Sequence, residues 1–260
     1  MSTIPNQRVV SSPSVKILSA LGLSLGLGLS ALAAETLPPV PAPTEPAGMK
    51  VLFNGKDLAG WSGGSRFWSV KDGVMRGETT NGHPATDDSN LVLYDRKHSD
   101  FDLRFAFRCS AAYQSGVQYR SGRFVEPTPT NAWASRGYQC ELRNGNDFPN
   151  VSGSLNYEAS NRGRICLVGE KAVWENGKKT VAATLIDAAG YVKLFKLNDW
   201  NEVVIIAKGN HIQHFLNGTQ ILDFTDKDPQ LALTQGSVIL LLHAGAPMWA
   251  EFKNLRIKEL

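Results

Sequence analysis

Polar side chains recur at alternate positions in two short apolar segments of this sequence. Gln118 and Arg120 have apolar neighbours, and so do Gln139 and Glu141. Alternate side chains share one face of a β-strand, so each pair is expected on one face. If the two strands are neighbours, amide, guanidinium and carboxylate groups meet on one surface, and such groups suit the hydroxyls of a sugar. The same alternation fits the solvated outer face of an antiparallel sheet, and the residues alone leave both interpretations open.

A histidine near the C-terminus is a second group that could do chemistry. His243 ends the almost wholly apolar segment Ser237–His243 and precedes Ala244 and Gly245. Its imidazole is therefore expected to emerge at a strand end. There it could serve as a proton acceptor, or it could make structural contacts only.

Paired carboxylates, the requirement of ordinary retaining glycoside hydrolysis, are missing from the central strands. In many β-sandwich glycosidases the pair occupies alternate positions of one strand. Here Glu141 is followed two positions later by Arg143. This arrangement argues against that mechanism. Zinc-binding, phosphate-loop and Ser-His-Asp signatures are also absent from the sequence.

The elements that must position these residues are strands. Alternation of apolar and polar residues, broken by Gly, Asn and Asp, recurs along the chain, and no segment after residue 48 has convincing helical periodicity. Strands are expected over Phe101–Cys109, Val117–Arg120, Tyr138–Arg143, Glu202–Lys208, His211–Leu216, Gln220–Phe224, Ser237–His243 and Trp249–Ile257. Two longer segments, Phe124–Ser135 and the Asn-rich Asn144–Gly163, are expected to be loops. Many short strands between turns predict an all-β sandwich or jelly roll.

The N-terminal segment has the order of regions found in a secretory signal peptide. Arg8 and Lys16 precede an apolar block, Ile17–Leu32, and the segment closes on Ala31-Leu32-Ala33, an A-x-A cleavage pattern. The block is shorter than the roughly 20 apolar residues that a membrane span requires. We therefore predict a signal peptide over residues 1–33 and an exported protein, periplasmic or extracellular, with no membrane span in the mature chain.

The next segment, residues 34–48, is rich in proline and is expected to be an extended linker. Residues 49–260 then form one folded domain, a length that suits one β-sandwich. Without Arg8 and Lys16 the basic and acidic side chains nearly balance, and no basic run remains, so nucleic acid is excluded as a partner. The odd cysteine count allows buried thiols or one disulfide among Cys109, Cys140 and Cys166. The oligomeric state is left open.

Several segments together resemble a known family, the 3-keto-disaccharide hydrolase domain. The opening Val51–Trp61 (VLFNGKDLAGW) is similar to that family's first motif, and Trp68–Val74 (WSVKDGV) is similar to its hairpin. Further segments follow in the family's order and cover essentially the whole mature domain: Phe101–Arg108, Ser115–Ser121, Gly137–Glu141, Trp200–Glu202, His214–Gly218 and Phe252–Lys258.

This resemblance implies a concanavalin A-like jelly-roll β-sandwich of two antiparallel sheets, with a sugar site on the concave sheet. It also implies cleavage of 3-keto-glycosides and 3-keto-disaccharides. A ketone at C3 acidifies the C2 proton, so a base can remove that proton and the C1 substituent can leave by elimination, after which water adds. Such a route needs one base and a group that stabilises the enolate oxygen.

On this resemblance we assign roles to six residues as hypotheses. Glu141 or His243 is the base, and Arg120 stabilises the enolate. The side chains expected to bind sugar hydroxyls are Gln118, Gln139 and Tyr157. A divalent metal ion held partly by Glu141 and His243 could replace the arginine as the electrophile.

One departure from the family pattern bears on these roles. The family often has glutamine two residues before the histidine of the penultimate strand, and here that position is Leu241. The loss of a polar group leaves open an altered specificity or a non-catalytic carbohydrate-binding module. Such a module would present an aromatic platform, with Trp133 or Trp174 as members. A domain without any sugar site is the third alternative.

Overall fold

The computed structural model describes residues 35–93, 97–110, 114–123 and 135–260. The signal-peptide prediction, most of the predicted 124–135 loop and Trp133 lie outside these residues. The described residues form, in chain order, β1 (Glu35–Thr36), β2 (Lys50–Val51), β3 (Trp61–Gly63), β4 (Trp68–Lys71), β5 (Val74–Glu78), β6 (Ser89–Leu93), β7 (Phe101–Cys109), β8 (Ser115–Arg123), β9 (Ser135–Leu142), β10 (Leu155–Glu158), β11 (Gly163–Cys166), β12 (Glu170–Glu175), β13 (Lys178–Thr184), α1 (Ala188–Leu194), β14 (Asn201–Lys208), β15 (His211–Leu216), β16 (Thr219–Asp226), β17 (Ser237–Leu242) and β18 (Trp249–Glu259).

The strands form two sheets. The larger sheet has 11 strands, ten of them in the order β1-β13-β12-β16-β15-β14-β7-β18-β5-β4, with β2 paired to β18. The smaller sheet has seven strands in the order β11-β10-β9-β8-β17-β6-β3. Most neighbours are antiparallel, and the two parallel pairs, β1 with β13 and β12 with β16, lie toward one edge of the larger sheet. This is the all-β jelly-roll sandwich expected from the sequence.

An apolar layer fills the space between the sheets. In β7, Phe101, Leu103 and Phe105 are each at most 2% exposed, and Phe105 packs against Phe252 of the neighbouring β18 with ring centroids 6.5 Å apart. Burying side chains of this size contributes about 1.5 to 3 kcal/mol each. The side of each strand that carries the apolar residues, at every second position, therefore faces the other sheet.

Polar bridges cross this layer at two places. The Tyr119 hydroxyl on β8 bonds Nε2 of His214 on β15 at 2.8 Å, and His214 Nδ1 lies 2.7 Å from the Gly153 carbonyl. The Tyr138 hydroxyl on β9 donates to Asp226 on β16 at 2.5 Å. Each bridge joins one sheet to the other, and its polar atoms are satisfied inside the apolar layer.

The proline-rich segment is a docked strap rather than a free linker, contrary to the expectation from its composition. The Ala42 amide donates to Gly218 O at 2.8 Å, and Arg104 donates from Nη2 to Pro43 O at 2.9 Å. Arg256 forms an ion pair with Glu45 at 2.5 Å. Proline lacks an N–H group but keeps its carbonyl, so an extended proline-rich chain can still accept hydrogen bonds from a sheet.

One short helix departs from the expected absence of helices. Helix α1 begins after Asp187, whose side chain accepts a hydrogen bond from the Gly190 amide at 2.7 Å. An aspartate at this position caps the free amides of the first turn. Tyr191 is fully buried and stacks on Phe195, which fastens the helix to the sandwich. Among the described residues, no helix is long and apolar enough to cross a membrane.

The three cysteines are buried free thiols, which is one of the two alternatives that the sequence leaves open. Burial raises the pKa of Cys109 to about 12. A thiol held in its protonated form is a poor nucleophile. The cysteines therefore belong to the core.

Acid sensitivity of the fold is expected from the bridge at His214. Burial lowers the pKa of His214 from 6.5 to about 4, and the bond to Gly153 O opposes that shift only partly. Between these two pH values the unfolded chain takes up a proton that the folded chain does not, so folding stability falls as the pH falls. The expected loss is about 3 kcal/mol of unfolding free energy.

Urea unfolding of the wild type and of His214→Gln at pH 7 and pH 4 measures this loss. The variant is expected to lose about 3 kcal/mol less than the wild type over the same interval, because its amide does not titrate. Equal losses in the two proteins would contradict the role of His214.

Candidate functional site

The smaller sheet turns one side toward the core and a polar side away from it. Val117 of β8 and Cys140 of β9 pack in the core, so the residues next to each of them along its strand face outward. We call this outward surface the polar face and define it by six side chains on neighbouring strands: Asn90 of β6, Gln118 of β8, Gln139 and Glu141 of β9, and Asn156 and Glu158 of β10. Strand pairing aligns Asn156, Gln139 and Gln118 in one row across the sheet. The predicted meeting of Gln118, Gln139 and Glu141 on one surface is therefore correct.

The centre of the polar face is a buried network of amides. Gln118 donates from Nε2 to Gln139 Oε1 at 3.2 Å, and its own Oε1 accepts from Ser135 at 2.8 Å and from Ser121 at 3.2 Å. Gln139 Nε2 is buried and has no acceptor among the described residues. A Cβ added to Gly116 would lie 2.8 Å from the Gln139 side chain, so the absent side chain lets this amide lie flat across β8.

Glu141 is held by two arginines. It is 1% exposed, and its Oε2 accepts from Arg164 Nε at 2.9 Å, with Arg143 at 3.9 Å. Arg164 and Arg143 are themselves partly exposed, so the positive charges lie between the carboxylate and solvent. The arrangement pairs the Glu141 carboxylate with positive charge and shields it from a ligand.

Glu158 is in a different environment from Glu141. It is half-buried, and its Oε2 accepts a hydrogen bond from Asn156 Nδ2 at 2.8 Å. Burial raises the pKa of Glu158, the negative charges of Asp88 and Glu141 raise it further, and hydrogen bonds from the Ala159 amide and Asn156 oppose part of the rise. No arginine, lysine or histidine pairs with it among the described residues.

His243 and Asp88 lie together at one end of the polar face. Strand pairing aligns Ser115 with both Leu142 and Leu242, so Arg143 and His243 follow at this end. His243 Nδ1 is 2.6 Å from Ala244 O and 3.9 Å from Asp88 Oδ1, and about a third of each side chain is exposed. When Nδ1 carries the proton that bonds Ala244 O, Nε2 is the basic nitrogen.

Arg120 does not lie on the polar face, contrary to the expectation that it shares a face with Gln118. The register of β8 against β9 shifts between Tyr119 and Gly122, and Arg120 has a positive φ of 49°. This β-bulge reverses the alternation and turns Arg120 inward. Its guanidinium, 1% exposed, donates to Ser99 O, Gly209 O and Leu233 O at 2.6 to 2.9 Å and to Asp100 at 3.2 Å. The bonds make Arg120 a structural tie and exclude it as an enolate-stabilising group.

Tyr157 also faces away from the polar face. It lies in β10 between Asn156 and Glu158, so its ring points to the opposite side of the sheet. The ring is 3% exposed, packs 5.5 Å from the Tyr138 ring and has the Arg162 guanidinium 5.4 Å from its centre. Its predicted contact with sugar hydroxyls is therefore not available.

Leu241 occupies the place in the polar face where the family often has glutamine. It pairs with Gly116 of β8 on one side and with Asn90 of β6 on the other, and it is 2% exposed. An apolar side chain thus separates Asn90 from Glu141 in this row.

The residues proposed to share a metal ion do not fit one. No group of three or more His, Cys, Asp or Glu side chains in the described parts of the chain could hold a metal. Glu141 Oε2 already accepts from Arg164, and a second guanidinium lies nearby. Positive side chains at this carboxylate oppose the binding of a cation.

The sequence interpretation missed three partly exposed residues of this surface, Asn156, Glu158 and Arg164. All three lie in or beside a segment that was expected to be a polar loop. The signal was present in Leu155-Asn156-Tyr157-Glu158, which alternates apolar and polar residues over the length of a short strand.

A comparison with protein families gives one match. The model of the 3-keto-alpha-glucoside-1,2-lyase-like domain matches residues 48–258. No curated protein matches the chain in sequence.

Solved structures share the fold at low sequence identity. A candidate glycosyl hydrolase from Parabacteroides distasonis is 20% identical, with a TM-score of 0.52 over 82% of this chain and 94% of the other. A non-specific endo-β-1,3(4)-glucanase of glycoside hydrolase family 16 is 12% identical, with a TM-score of 0.51 over 86% and 96%. The family 66 carbohydrate-binding module from Bacillus subtilis is 15% identical, with a TM-score of 0.47 over 81% and 100%. The first two show the sandwich fold and nothing more specific.

Replacing Arg120 should destabilise the fold. Arg120→Met removes the donors of three backbone carbonyls and is expected to lower the unfolding free energy by about 3 to 5 kcal/mol. Arg108→Met is the matched control, because Arg108 is partly exposed and its ion pair with Glu251 contributes about 0 to 1 kcal/mol. Chemical denaturation measures both losses, and equal losses would contradict the structural role of Arg120.

Proposed function

Because the chain belongs to the 3-keto-alpha-glucoside-1,2-lyase-like domain family, we propose that it cleaves glycosides whose sugar carries a ketone at C3. The observation that carries this proposal is the partly exposed His243–Asp88 pair at the end of a polar sheet face that also holds arginines. A base and a nearby cation are what elimination next to a ketone requires.

Proton removal from C2 is assigned to His243. Its Nδ1–H donates to Ala244 O, a third of the side chain is exposed, and Asp88 stabilises the positive charge that forms when the imidazole takes the proton. Glu141, the other candidate base, is buried and engaged by Arg164, so it serves to hold the arginines in place. The same engagement disfavours Glu141 as the nucleophile of a retaining glycosidase.

Stabilisation of the enolate is assigned to Arg143 in place of Arg120. Arg143 is aligned with His243 at the same end of the polar face and is 29% exposed. Its guanidinium bonds the Gln114 side chain, which lies between the two strands. A cation near the enolate oxygen lowers the barrier to loss of the C2 proton.

Recognition of hydroxyls is assigned to the partly exposed Asn156, and the buried Gln139 and Gln118 support it from the same row. Gln118 bonds Gln139 and Ser135 through the two ends of its amide, and Gln139 is 0% exposed. Asn156, next to Gln139 in the same row, extends the polar surface toward β11. The bound carbohydrate then lies along the polar face.

A non-catalytic carbohydrate-binding module has less support in this chain. Trp174, expected as a member of an aromatic platform, is partly buried, and the Arg162 guanidinium lies 4.4 Å from its ring centre. A ring covered in this way offers less surface to a sugar.

The export of the chain to the periplasm or the cell exterior remains part of the proposal.

Cleavage of a keto-sugar tests the function. Residues 34–260 incubated with 3-keto-trehalose or an aryl 3-keto-glucoside are expected to release the substituent of C1. His243→Ala should lower kcat/KM by at least about 100-fold, the usual contribution of a general base. His211→Ala, a histidine on the larger sheet paired with Asp223, should leave the rate unchanged.

Absence of release by the wild type from both substrates would contradict the enzymatic function. Release that His243→Ala leaves intact would contradict only the assignment of the base. Saturable binding of a keto-sugar without release would favour the binding module.

Chelation is expected to leave the rate unchanged. Glu141 is engaged by Arg164, so the proposed chemistry uses side chains in place of a metal. The same assay after dialysis against EDTA measures this. A rate that EDTA abolishes and a divalent cation restores would contradict this expectation.

A further inference from the structure

Four polar side chains form one row across the smaller sheet, at the end that holds His243. Strand pairing aligns Leu242 of β17 with Ser89 of β6 and with Ser115 of β8. Ser115 is also aligned with Leu142 of β9. Leu142 and Leu242 face the core, so the residues one position beyond this pairing face outward with the polar face. We call them the end row, and they are, in order across the sheet, Asp88, His243, Gln114 and Arg143.

Gln114 is the member of the end row that has no role in the proposed chemistry beyond its bond to Arg143. Strand β8 lies between β17 and β9, so Gln114 lies between the proposed base and the proposed cation. It is partly exposed and can therefore meet a ligand. Neighbouring strands are about 4.8 Å apart. A sugar with its C2 at His243 and its C3 oxygen toward Arg143 thus lies over Gln114.

The Gln114 amide can present only its oxygen to Arg143. A guanidinium carries donors and no acceptor, and Arg143 Nη2 donates to Gln114 Oε1. The two N–H groups of Gln114 Nε2 therefore point away from Arg143, and they bond no acceptor among the described residues. A hydrogen bond from a cation to the oxygen polarises the amide and strengthens its N–H groups as donors. The end row thus holds a polarised donor beside the proposed base.

The other glutamines of the smaller sheet are less suited to act with His243. Gln118 lies four residues along β8 from Gln114, which is about 13 Å at about 3.3 Å per residue. Gln139 is aligned with Gln118 and is equally far from the end row. Both side chains are at most 1% exposed, whereas Gln114 is partly exposed. Gln114 is therefore the glutamine that can reach a sugar at His243.

We propose that Gln114 Nε2 donates a hydrogen bond to the enolate oxygen beside the Arg143 guanidinium, a role that rests on the proposed function. His243 takes the C2 proton, and the electron pair of that C–H bond forms the C2–C3 double bond. The π electrons of the ketone move onto its oxygen, which then faces one cationic and one neutral donor. The bond to C1 stays intact in this step. A donor that meets negative charge only after the proton has left stabilises the transition state more than the bound substrate.

Removal of the amide tests this role. Gln114→Met keeps the length of the side chain and removes its donors. The kcat for 3-keto-trehalose and for 4-nitrophenyl 3-keto-glucoside should fall about 100-fold, with KM changed less than about 3-fold, because an oxyanion donor acts in the transition state. The two falls should be equal, since both substrates pass through the same enolate. Gln213→Met, which replaces a partly exposed glutamine of the larger sheet, is the matched control and should change neither rate.

A double variant separates donation by Gln114 from an effect through Arg143. In an Arg143→Met background, Gln114→Met should lower kcat for the 4-nitrophenyl substrate by a further factor of about 10 or more, because the amide donates by itself. No further loss in that background would show that Gln114 acts only by holding Arg143, and would overturn the proposal.

Two results from the single variant, with its thermal unfolding unchanged, would also overturn the role of Gln114. A loss confined to 3-keto-trehalose would place the amide at the leaving sugar, and a raised KM with unchanged kcat would place it in substrate binding alone. Both results leave the proposed function intact, because the wild type still cleaves the keto-sugars. A wild type that cleaves neither substrate would overturn both proposals.

Discussion

The Arg120 guanidinium joins the two sheets at one end of the sandwich, and the arrangement of the polar face depends on it. The bulge that turns Arg120 inward brings its donors to the carbonyls of Ser99 and Gly209, which flank strands of the larger sheet. The same bulge turns Ser121 outward, where it donates to Gln118. A single extra residue in β8 thus closes the core at one end and completes the amide network on the other side.

On the polar face, the surroundings of each charged group determine its role more than its residue type does. Glu141 and Glu158 lie on neighbouring strands and point the same way, yet one is enclosed by guanidiniums and the other contacts an amide. Glu141 holds Arg164 and Arg143 in place and so fixes the position of their positive charges near the ligand. A glutamate without a cationic partner keeps its proton more readily. This distinction arises because β10 lies beside β9 and β11 lies beside β10.

The alternation of residues allowed the strands around Phe101–Cys109 and the outward direction of Gln118, Gln139 and Glu141 to be predicted. It failed where the period of two is interrupted: a bulge cannot be located from Arg120 and its neighbours, because the register depends on the partner strand. Tyr157 was assigned to the wrong side and Glu158 was missed because the alternation of Leu155–Glu158 covers only four residues inside a segment that was expected to be a loop. Asp88 is remote from His243 in sequence, and only the pairing of β6 with β17 brings them together.

The docked strap has a consequence for how this protein behaves in solution. Its first residues, Glu35 and Thr36, form β1 along the open edge of β13. An uncovered edge strand offers unpaired amides and carbonyls to other chains. The prolines that follow lack N–H donors, so the segment cannot extend this pairing far. The segment that resembles a spacer thus shortens the open edge of β13 by pairing with its last two residues, Ala183 and Thr184, and leaves fewer backbone groups there for other chains.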